Sequence, residues 1–257
     1  MAYQLLILFA AGFFGGVLNS VAGGGSFITF PALLFVGVPP ISANATNTFA
    51  SCAGYLSGAY ALRKELAAYR KALPRLIIIS LVGGSLGALL LLQTPEALFR
   101  EAIPWLLLFA TLLFVFGGWL NRTLKSYASL HRHASLVAAG LLLLLLFGVS
   151  LYGGFFNAGL GIIILSYLAL AGFSDINGMN GLKLLLSSAI SLIAIVLFVY
   201  SGAIAWFQGV IVMLGTLFGG YVAAHLSRQL PQDYVRVFVI LTGIGMTLYF
   251  FFQTYIS

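Results

Sequence analysis

The chain has very little charge. Only 7% of its 257 residues are charged, whereas soluble globular domains carry about 25%. So few charges cannot cover a water-facing surface. Apolar runs follow one another along the whole sequence, and a helix that crosses a bilayer needs about 20 such residues. This composition predicts a polytopic all-α membrane protein, because a membrane β-barrel would show short alternating segments instead of runs such as 141–147.

Cysteine and acidic residues are also scarce. Cys52 is the single cysteine, which leaves neither a disulfide nor a metal-ligand spacing. There are five acidic residues, and no two of them lie together within an apolar run. The sequence also lacks a His-Glu-x-x-His motif and a phosphate-binding loop. These absences predict a protein that is not an enzyme, has no catalytic residues and holds no metal or cofactor.

The apolar segments form two halves of five. All are expected to be helices, since lipid cannot satisfy open backbone groups. The first half comprises residues 3–22, 26–37, 43–62, 73–93 and 103–120, and the second comprises 134–156, 162–172, 177–200, 204–226 and 234–255. The second segment of each half reaches roughly 16–18 Å, too little to cross a hydrocarbon core of about 30 Å.

The basic residues are distributed unevenly among the connections, which predicts the side of the membrane on which each connection lies. Ten of the 12 Lys and Arg residues fall within 63–75, 122–132 and 228–236, whereas the connections at 94–102 and 201–203 contain only Arg100. The positive-inside rule assigns the three basic stretches to the cytoplasm. We therefore predict a multi-pass protein of a bacterial inner membrane with both termini on the non-cytoplasmic side. The net charge of +7 is interpreted as a topology signal rather than a nucleic-acid surface.

Glycine and asparagine positions recur between the halves at offsets of 135 to 138. The pairs are Gly15-Gly16 with Gly153-Gly154, Asn19 with Asn157, Gly23 and Gly25 with Gly159 and Gly161, Gly37 with Gly172, Asn44 with Asn180, and Asn47 with Lys183. Because each half has an odd number of segments, the halves run in opposite directions. We predict two inverted repeats, 1–133 and 134–257, each with a glycine-broken helix pair and three full spans, giving about 8–10 membrane segments. Secondary transporters have this architecture and bind substrate near the midplane at broken helices.

The first break, GGVLNSVAGGGSFITFP at 15–31, is a candidate anion site. Its three successive glycines permit a tight reversal and leave backbone N–H groups uncovered. The helix that starts near Ser26 directs its positive end at this break, which favours an anion. The alternative interpretation is a glycine seam for close helix packing.

Lys183 lies deeper within an apolar segment than any other Lys or Arg of the sequence. A lysine at the centre of a membrane helix costs about 2.5–3.5 kcal/mol, so it should face a cavity or a partner. We interpret it as the countercharge for an anionic substrate; snorkelling to cytoplasmic headgroups is the alternative. Asp175 is the candidate for ion coupling, although Asp at a helix start also serves as an N-cap. The predicted substrate-binding residues are Gly24, Gly25, Ser26, Asn44, Asn47, Thr48, Gly161, Asn180 and Lys183.

Three stretches resemble the TauE/SafE family: the first break, the ANATNT opening of the third segment, and the second-half repeat that ends in MNGLKL. This family comprises bacterial membrane proteins associated with the export of sulfite and the handling of organosulfur anions. The resemblance spans essentially the whole chain. It implies a secondary transporter for a small sulfur-containing oxyanion, sulfite or an organosulfonate, that works by alternating access in the export direction.

Two alternatives to a transporter stay open. An anion channel would conduct without a coupling ion or saturable exchange. A membrane-embedded enzyme or accessory subunit acting on a thiol compound would depend on Cys52. The predicted partners are the oxyanion and the lipid bilayer, and a homo-oligomer is compatible with the sequence.

Overall fold

The computed structural model describes residues 2–21, 23–130, 136–226 and 232–256. These residues form α-helices and no strand, which confirms the predicted all-α class of a polytopic membrane protein. The helices are α1 (Ala2–Val21), α2 (Ser26–Phe35), α3 (Pro40–Ala61), α4 (Arg63–Leu66), α5 (Leu73–Gln93), α6 (Glu96–Leu130), α7 (Leu136–Phe155), α8 (Leu160–Leu170), α9 (Ile176–Tyr200), α10 (Trp206–Leu226) and α11 (Gln232–Tyr255).

The predicted segments match these helices with two main differences. Helix α6 has 35 residues and a length of about 52 Å, whereas the prediction covered only its apolar part, 103–120. Polar residues continue the helix on both sides of that part, because the helix need not end where the bilayer core ends. The connection after α3, for which no helix was predicted, contains α4 and a 3₁₀ turn, Ala67–Tyr69.

Several helices are suited to a bilayer. Within the described residues, Leu73–Gln93, Ile176–Tyr200 and Val237–Tyr255 are long and apolar enough to cross a membrane by length and composition. The short helices Ser26–Phe35 and Leu160–Leu170 are apolar but have only 10 and 11 residues. Each is therefore too short to cross a bilayer alone, as its sequence length predicts.

The broken helix of each sequence half packs against the opposite half. Helix α1 lies along α10, and α7 lies along α5. Glycine permits both contacts, since a Cβ on Gly16 would overlap the backbone of Thr216, and one on Gly87 would overlap the carbonyl of Leu151. The two halves are thus interleaved, with α3 against α9 at the centre. The predicted boundary at 133/134 lies outside the described residues.

The connections gather at two ends of the molecule, separated by the full-length helices α3, α5 and α9. At one end, which we call the Glu96 end, the Ile41 N–H donates to Glu96 Oε1 at 3.3 Å, and Ser42 Oγ donates to the Ala203 carbonyl at 2.7 Å. At the other, the basic end, the ring of Tyr69 packs on that of Phe173. Five basic residues of 63–75 belong to the basic end. The basic side chains at 122–132 and 228–236 lie outside the described part of the chain.

Two glycine pairs of the repeat alignment share a left-handed backbone. Gly23 and Gly159, which follow the broken helices, have φ of +79° and +76°. Gly37 and Gly172, which follow the short helices, both have φ of +88°. A positive φ favours glycine because a Cβ is strained there. The alignment therefore pairs positions with the same local conformation, while the inverted relation between the repeats stays a prediction.

Candidate functional site

Helices α3 and α9 cross in opposite directions at the centre of the molecule. A Cβ on Gly58 would lie 2.8 Å from Leu184 Cδ1, and one on Gly181 would lie 3.4 Å from Leu62 Cβ. As residue numbers rise along α3, those of their neighbours on α9 fall. The N-terminal half of each helix therefore lies beside the C-terminal half of the other.

Asn47 organises a polar cluster at the first break, which we call the Asn47 cluster. The Thr29 hydroxyl donates to Asn47 Oδ1, and Asn47 Nδ2 donates to Ser26 Oγ at 3.1 Å. The Gly25 N–H donates to Asn19 Oδ1 at 3.1 Å. Ser26, Thr29 and Asn47 are buried. The cluster thus joins α3 to the first turn of α2 and to the end of α1.

The two predicted glycine donors in this break, Gly24 and Gly25, differ in whether their N–H groups are already hydrogen-bonded. The Gly24 carbonyl accepts from the Phe27 N–H at 3.2 Å, and the Gly25 carbonyl accepts from the Ile28 N–H at 3.0 Å. The Gly24 N–H has no hydrogen-bond acceptor among the residues that the structure describes. Gly24 is buried. An anion at this break would displace no hydrogen-bond acceptor from the Gly24 N–H, whereas at Gly25 it would have to displace the side chain of Asn19.

Lys183 lies at the second break in what we call the Lys183 cluster. Its Nζ donates to Asn180 Oδ1 at 3.3 Å, one turn earlier on α9. Its stem passes over Gly161, where a Cβ would lie 3.4 Å from Lys183 Cδ. In the described part of the chain, no carboxylate lies within 4.0 Å of Nζ. This half-buried lysine is therefore hydrogen-bonded to one neutral amide, and no described carboxylate balances its charge.

The predicted site residues form two clusters instead of one. Asn47 and Lys183 each lie in the N-terminal half of their helix, so the antiparallel crossing places them on opposite sides of it. Asn44 and Thr48 join neither cluster. Asn44 Nδ2 donates to the Phe155 carbonyl at 2.8 Å, and Thr48 Oγ1 donates to the Asn44 carbonyl at 3.0 Å. Asn44 thus fastens α3 to the end of α7.

Asp175 caps α9. Its Oδ2 accepts from the Gly178 N–H at 2.7 Å, and the residue is exposed. Capping accounts for an aspartate at this position, and its role in ion coupling stays a prediction.

Sequence reasoning missed a buried hydrogen-bonded group at the crossing. The Tyr55 hydroxyl donates to Asn157 Oδ1 at 3.0 Å, and Asn157 Nδ2 donates to Ser191 Oγ at 3.2 Å. All three residues are buried. The spacing of polar residues along α3 could have identified Tyr55. Polar residues at successive intervals of four, three and four share one face of a helix. These residues are Asn44, Thr48, Ser51 and Tyr55.

Two further features lie apart from these clusters. Cys52 is buried on α3, and the described residues contain no group of three His, Cys, Asp or Glu that could hold a metal. A cavity of about 770 Å³ lies at the Glu96 end between α2, α6 and α11, with Glu96, Arg100 and Glu101 in its wall. It provides a polar recess at this end of the molecule.

Apolar helices, two of them broken beside buried polar side chains, are typical of a membrane transporter. The chain belongs to the TauE/SafE family, because residues 8–250 match the family described as Sulfite exporter TauE/SafE. This confirms the resemblance seen in the sequence.

Curated relatives cover nearly the whole chain. A probable membrane transporter protein of Haemophilus influenzae is 32% identical, over 95% of this chain and 92% of its own length. A probable membrane transporter protein of Sinorhizobium is 28% identical, over 96% and 93%, and one of Escherichia coli K12 is 26% identical, over 94% and 87%. No solved structure matches the chain. These relatives are named as transporters, which agrees with the prediction that the protein is not an enzyme.

Proposed function

We propose that the protein is a secondary transporter that moves a small sulfur-containing oxyanion, sulfite or an organosulfonate, out of the cell by alternating access. The observation that carries the proposal is Lys183. This cation lies within the helix bundle, and only the neutral Asn180 contacts its Nζ among the described polar groups. The description of the family as sulfite exporters supports the choice of anion.

An anion at the Lys183 cluster would supply the charge that the protein lacks there. Charges interact more strongly in a low-dielectric interior than in water. Gly161 lies in the first turn of α8, so its backbone N–H is at the positive end of that helix. A sulfite oxygen could accept from Lys183 Nζ and from this N–H together, with Asn180 as a further neutral partner.

The Asn47 cluster offers a second, neutral half-site. The Gly24 N–H and the side chains of Ser26 and Asn47 can donate to oxyanion oxygens at the start of α2, because the Asn47 amide has a second N–H besides the one that it donates to Ser26. Because the two clusters lie on opposite sides of the α3–α9 crossing, each half-site would serve one face of the membrane. Asn44 and Thr48 would position α3 between them. This arrangement suits alternating access in an inverted-repeat transporter.

The orientation follows from charge. The basic end would face the cytoplasm, since basic connections are retained there. The Glu96 end and both termini would then lie outside a bacterial inner membrane. An anion leaving the cell would meet Lys183 first and the neutral Asn47 cluster second.

Transport by the purified protein in liposomes tests the proposal. Uptake and electrogenic current would be measured with sulfite, sulfate, thiosulfate, taurine and sulfoacetate. We expect saturable transport of sulfite or a sulfonate, and its loss in Lys183→Met. Lys71→Met is the matched control, because Lys71 is an exposed lysine at the basic end. Non-saturating current would indicate a channel, and absence of transport for all five anions would refute the proposed substrate class.

A further inference from the structure

Arg100 is a basic residue that the distribution of positive charge does not explain. The connections at 94–102 and 201–203 contain no other Lys or Arg. The side chain of Arg100 lines the cavity of about 770 Å³ at the Glu96 end. Pockets that bind small molecules have volumes of about 300–1,000 Å³. The cavity is therefore large enough for a small organic ligand, and Arg100 places a cation in its wall.

Contacts between helices hold the wall of this cavity together. The Tyr255 hydroxyl on α11 donates to the Glu101 carbonyl on α6 at 3.1 Å, and Trp105 Nε1 donates to the Tyr255 hydroxyl at 3.0 Å. The ring of Phe35, at the end of α2, lies 5.4 Å from that of Tyr249 on α11, measured between centroids. These contacts join α2, α6 and α11 around the cavity, so its shape is formed before any ligand enters.

The three charged side chains in the wall are not equally available to a ligand. Glu96 Oε1 accepts from the Ile41 N–H, so this acid already serves the start of α3. Arg100 and Glu101 are exposed, and neither their guanidinium nor their carboxylate has a hydrogen bond or an ion pair within 4.0 Å in the described part of the chain. Adjacent residues of a helix do not face each other. One cation and one anion of the wall are therefore both open to a ligand.

We propose that this cavity binds a small zwitterion, a molecule that joins a primary ammonium group to an anionic group. The anionic group would pair with the Arg100 guanidinium, which can bind a carboxylate or a phosphate with two parallel hydrogen bonds. The ammonium group would pair with the Glu101 carboxylate, beside the ring of Tyr249, whose face also attracts cations. Glu101 would repel a simple anion and Arg100 a simple cation, whereas a zwitterion gains from both charges.

A ligand of this chemistry can come from two sources. A free amino acid could enter from the water at the Glu96 end. An ethanolamine phospholipid could instead place its headgroup there, because Trp105 and Tyr255 are residues of the kind enriched at the membrane interface. The site is separate from the Lys183 cluster and does not depend on transport of an oxyanion.

Titration calorimetry of the purified protein in detergent tests the free ligands. The probes are the ω-amino acids from β-alanine to 6-aminohexanoate, each with the alkanoate and the alkylamine of the same chain length. We expect a zwitterion of the series to bind at least tenfold more tightly than either analogue, since each analogue lacks one charged hydrogen-bonding group. Arg100→Gln and Glu101→Gln should each weaken binding at least tenfold. Arg70→Gln is the matched control, because Arg70 is an exposed arginine at the basic end.

Native mass spectrometry tests the lipid source. The protein is released from nanodiscs of phosphatidylethanolamine or of phosphatidylglycerol, which lacks the ammonium group. If the headgroup is the ligand, we expect phosphatidylethanolamine to be retained preferentially by the parent protein and by Arg70→Gln, and to be lost from Arg100→Gln and Glu101→Gln. Binding in either experiment that needs both residues supports the proposal and identifies the source.

Three results would overturn the proposal. They are no binding in either experiment, equal binding of the analogues that lack one charge, and binding that survives both Arg100→Gln and Glu101→Gln. Lys183→Met should bind the zwitterion as the parent protein does, so a loss of binding in this variant would assign the ligand to the Lys183 cluster and also overturn the proposal. Because no probe is a sulfur oxyanion, failure of the liposome assay would leave these results intact.

Discussion

Lys183 passes close to Gly161, because a Cβ added to this glycine would already lie at ordinary contact distance from the lysine stem. Lys183→Arg keeps the charge but adds a rigid planar group with different hydrogen-bond geometry. If the lysine binds the anion, we expect the Arg variant to lose about tenfold in substrate affinity, equivalent to about 1.4 kcal/mol. Isothermal titration with sulfite on the purified variant measures this. A lysine that merely snorkels to headgroups would be replaced by arginine without loss.

The glycines of the two breaks differ in what they can test. A Cβ on Gly25 would overlap the Gly15 carbonyl and lie 2.9 Å from Asn19 Cγ, so Gly25→Ala would disturb the packing of α1 on α2. A Cβ on Gly161 meets only the Lys183 stem, at 3.4 Å. A substitution of Gly161 therefore tests the Lys183 half-site, whereas a substitution of Gly25 tests the packing of α1 on α2.

We expect Gly161→Ala to retain the thermal stability of the parent protein but to weaken sulfite binding. The added methyl group would partly cover the backbone N–H and the approach to Lys183 Nζ. Loss of one hydrogen bond to a charged group, about 1.5–3 kcal/mol, corresponds to a decrease of tenfold or more. Thermal unfolding and sulfite titration are measured on the same sample. Parent affinity in this variant would remove Gly161 from the binding site.

Sequence reasoning selected residues for the candidate site without predicting how they are arranged. Lys183 stood out because a cation in an apolar run is costly, and its equivalence to Asn47 in the repeat alignment supported that interpretation. Their separation depends on where α3 and α9 cross, which is a property of packing between distant segments. Tyr55 was overlooked because an aromatic residue is unremarkable in a membrane helix until its neighbours on the same face are considered.

At the scale of helices, the sequence predicted the positions of helices whose ends are marked by a change in hydrophobicity along the chain. The segment at 73–93 coincides with α5, since its long apolar run begins beside a basic stretch and ends at a polar one. The pairing of α1 with α10 and of α5 with α7 was not predicted. In lipid, apolar faces do not select partners by hydrophobicity, and small residues permit close approach instead. The sequence contains many glycines, but it did not show at which of them two helices come into close contact.

Glycine at the α5–α7 contact should therefore be essential for stability. A Cβ on Gly87 would overlap the Leu151 carbonyl and lie 2.8 Å from the Phe155 nitrogen. Overpacking of this kind costs about 1–3 kcal/mol or more, so Gly87→Val should lower the melting temperature in detergent. Gly148→Val on α7 is the control, because a Cβ there has open space. Equal melting temperatures for the two variants would contradict the close contact.

At the scale of the whole molecule, the two ends give the sharpest test of topology. Lys71 at the basic end and Ser201 at the Glu96 end are both exposed, and full-length helices separate them. Basic connections stay in the cytoplasm, so in a Cys52→Ser background an impermeant maleimide should label Ser201→Cys in intact cells and Lys71→Cys only in inverted vesicles. The expected pattern follows from α3, α5 and α9 each crossing the bilayer once. Labelling of both positions from the same side would contradict the inverted repeat, and with it the assignment of the two half-sites to opposite faces of the membrane.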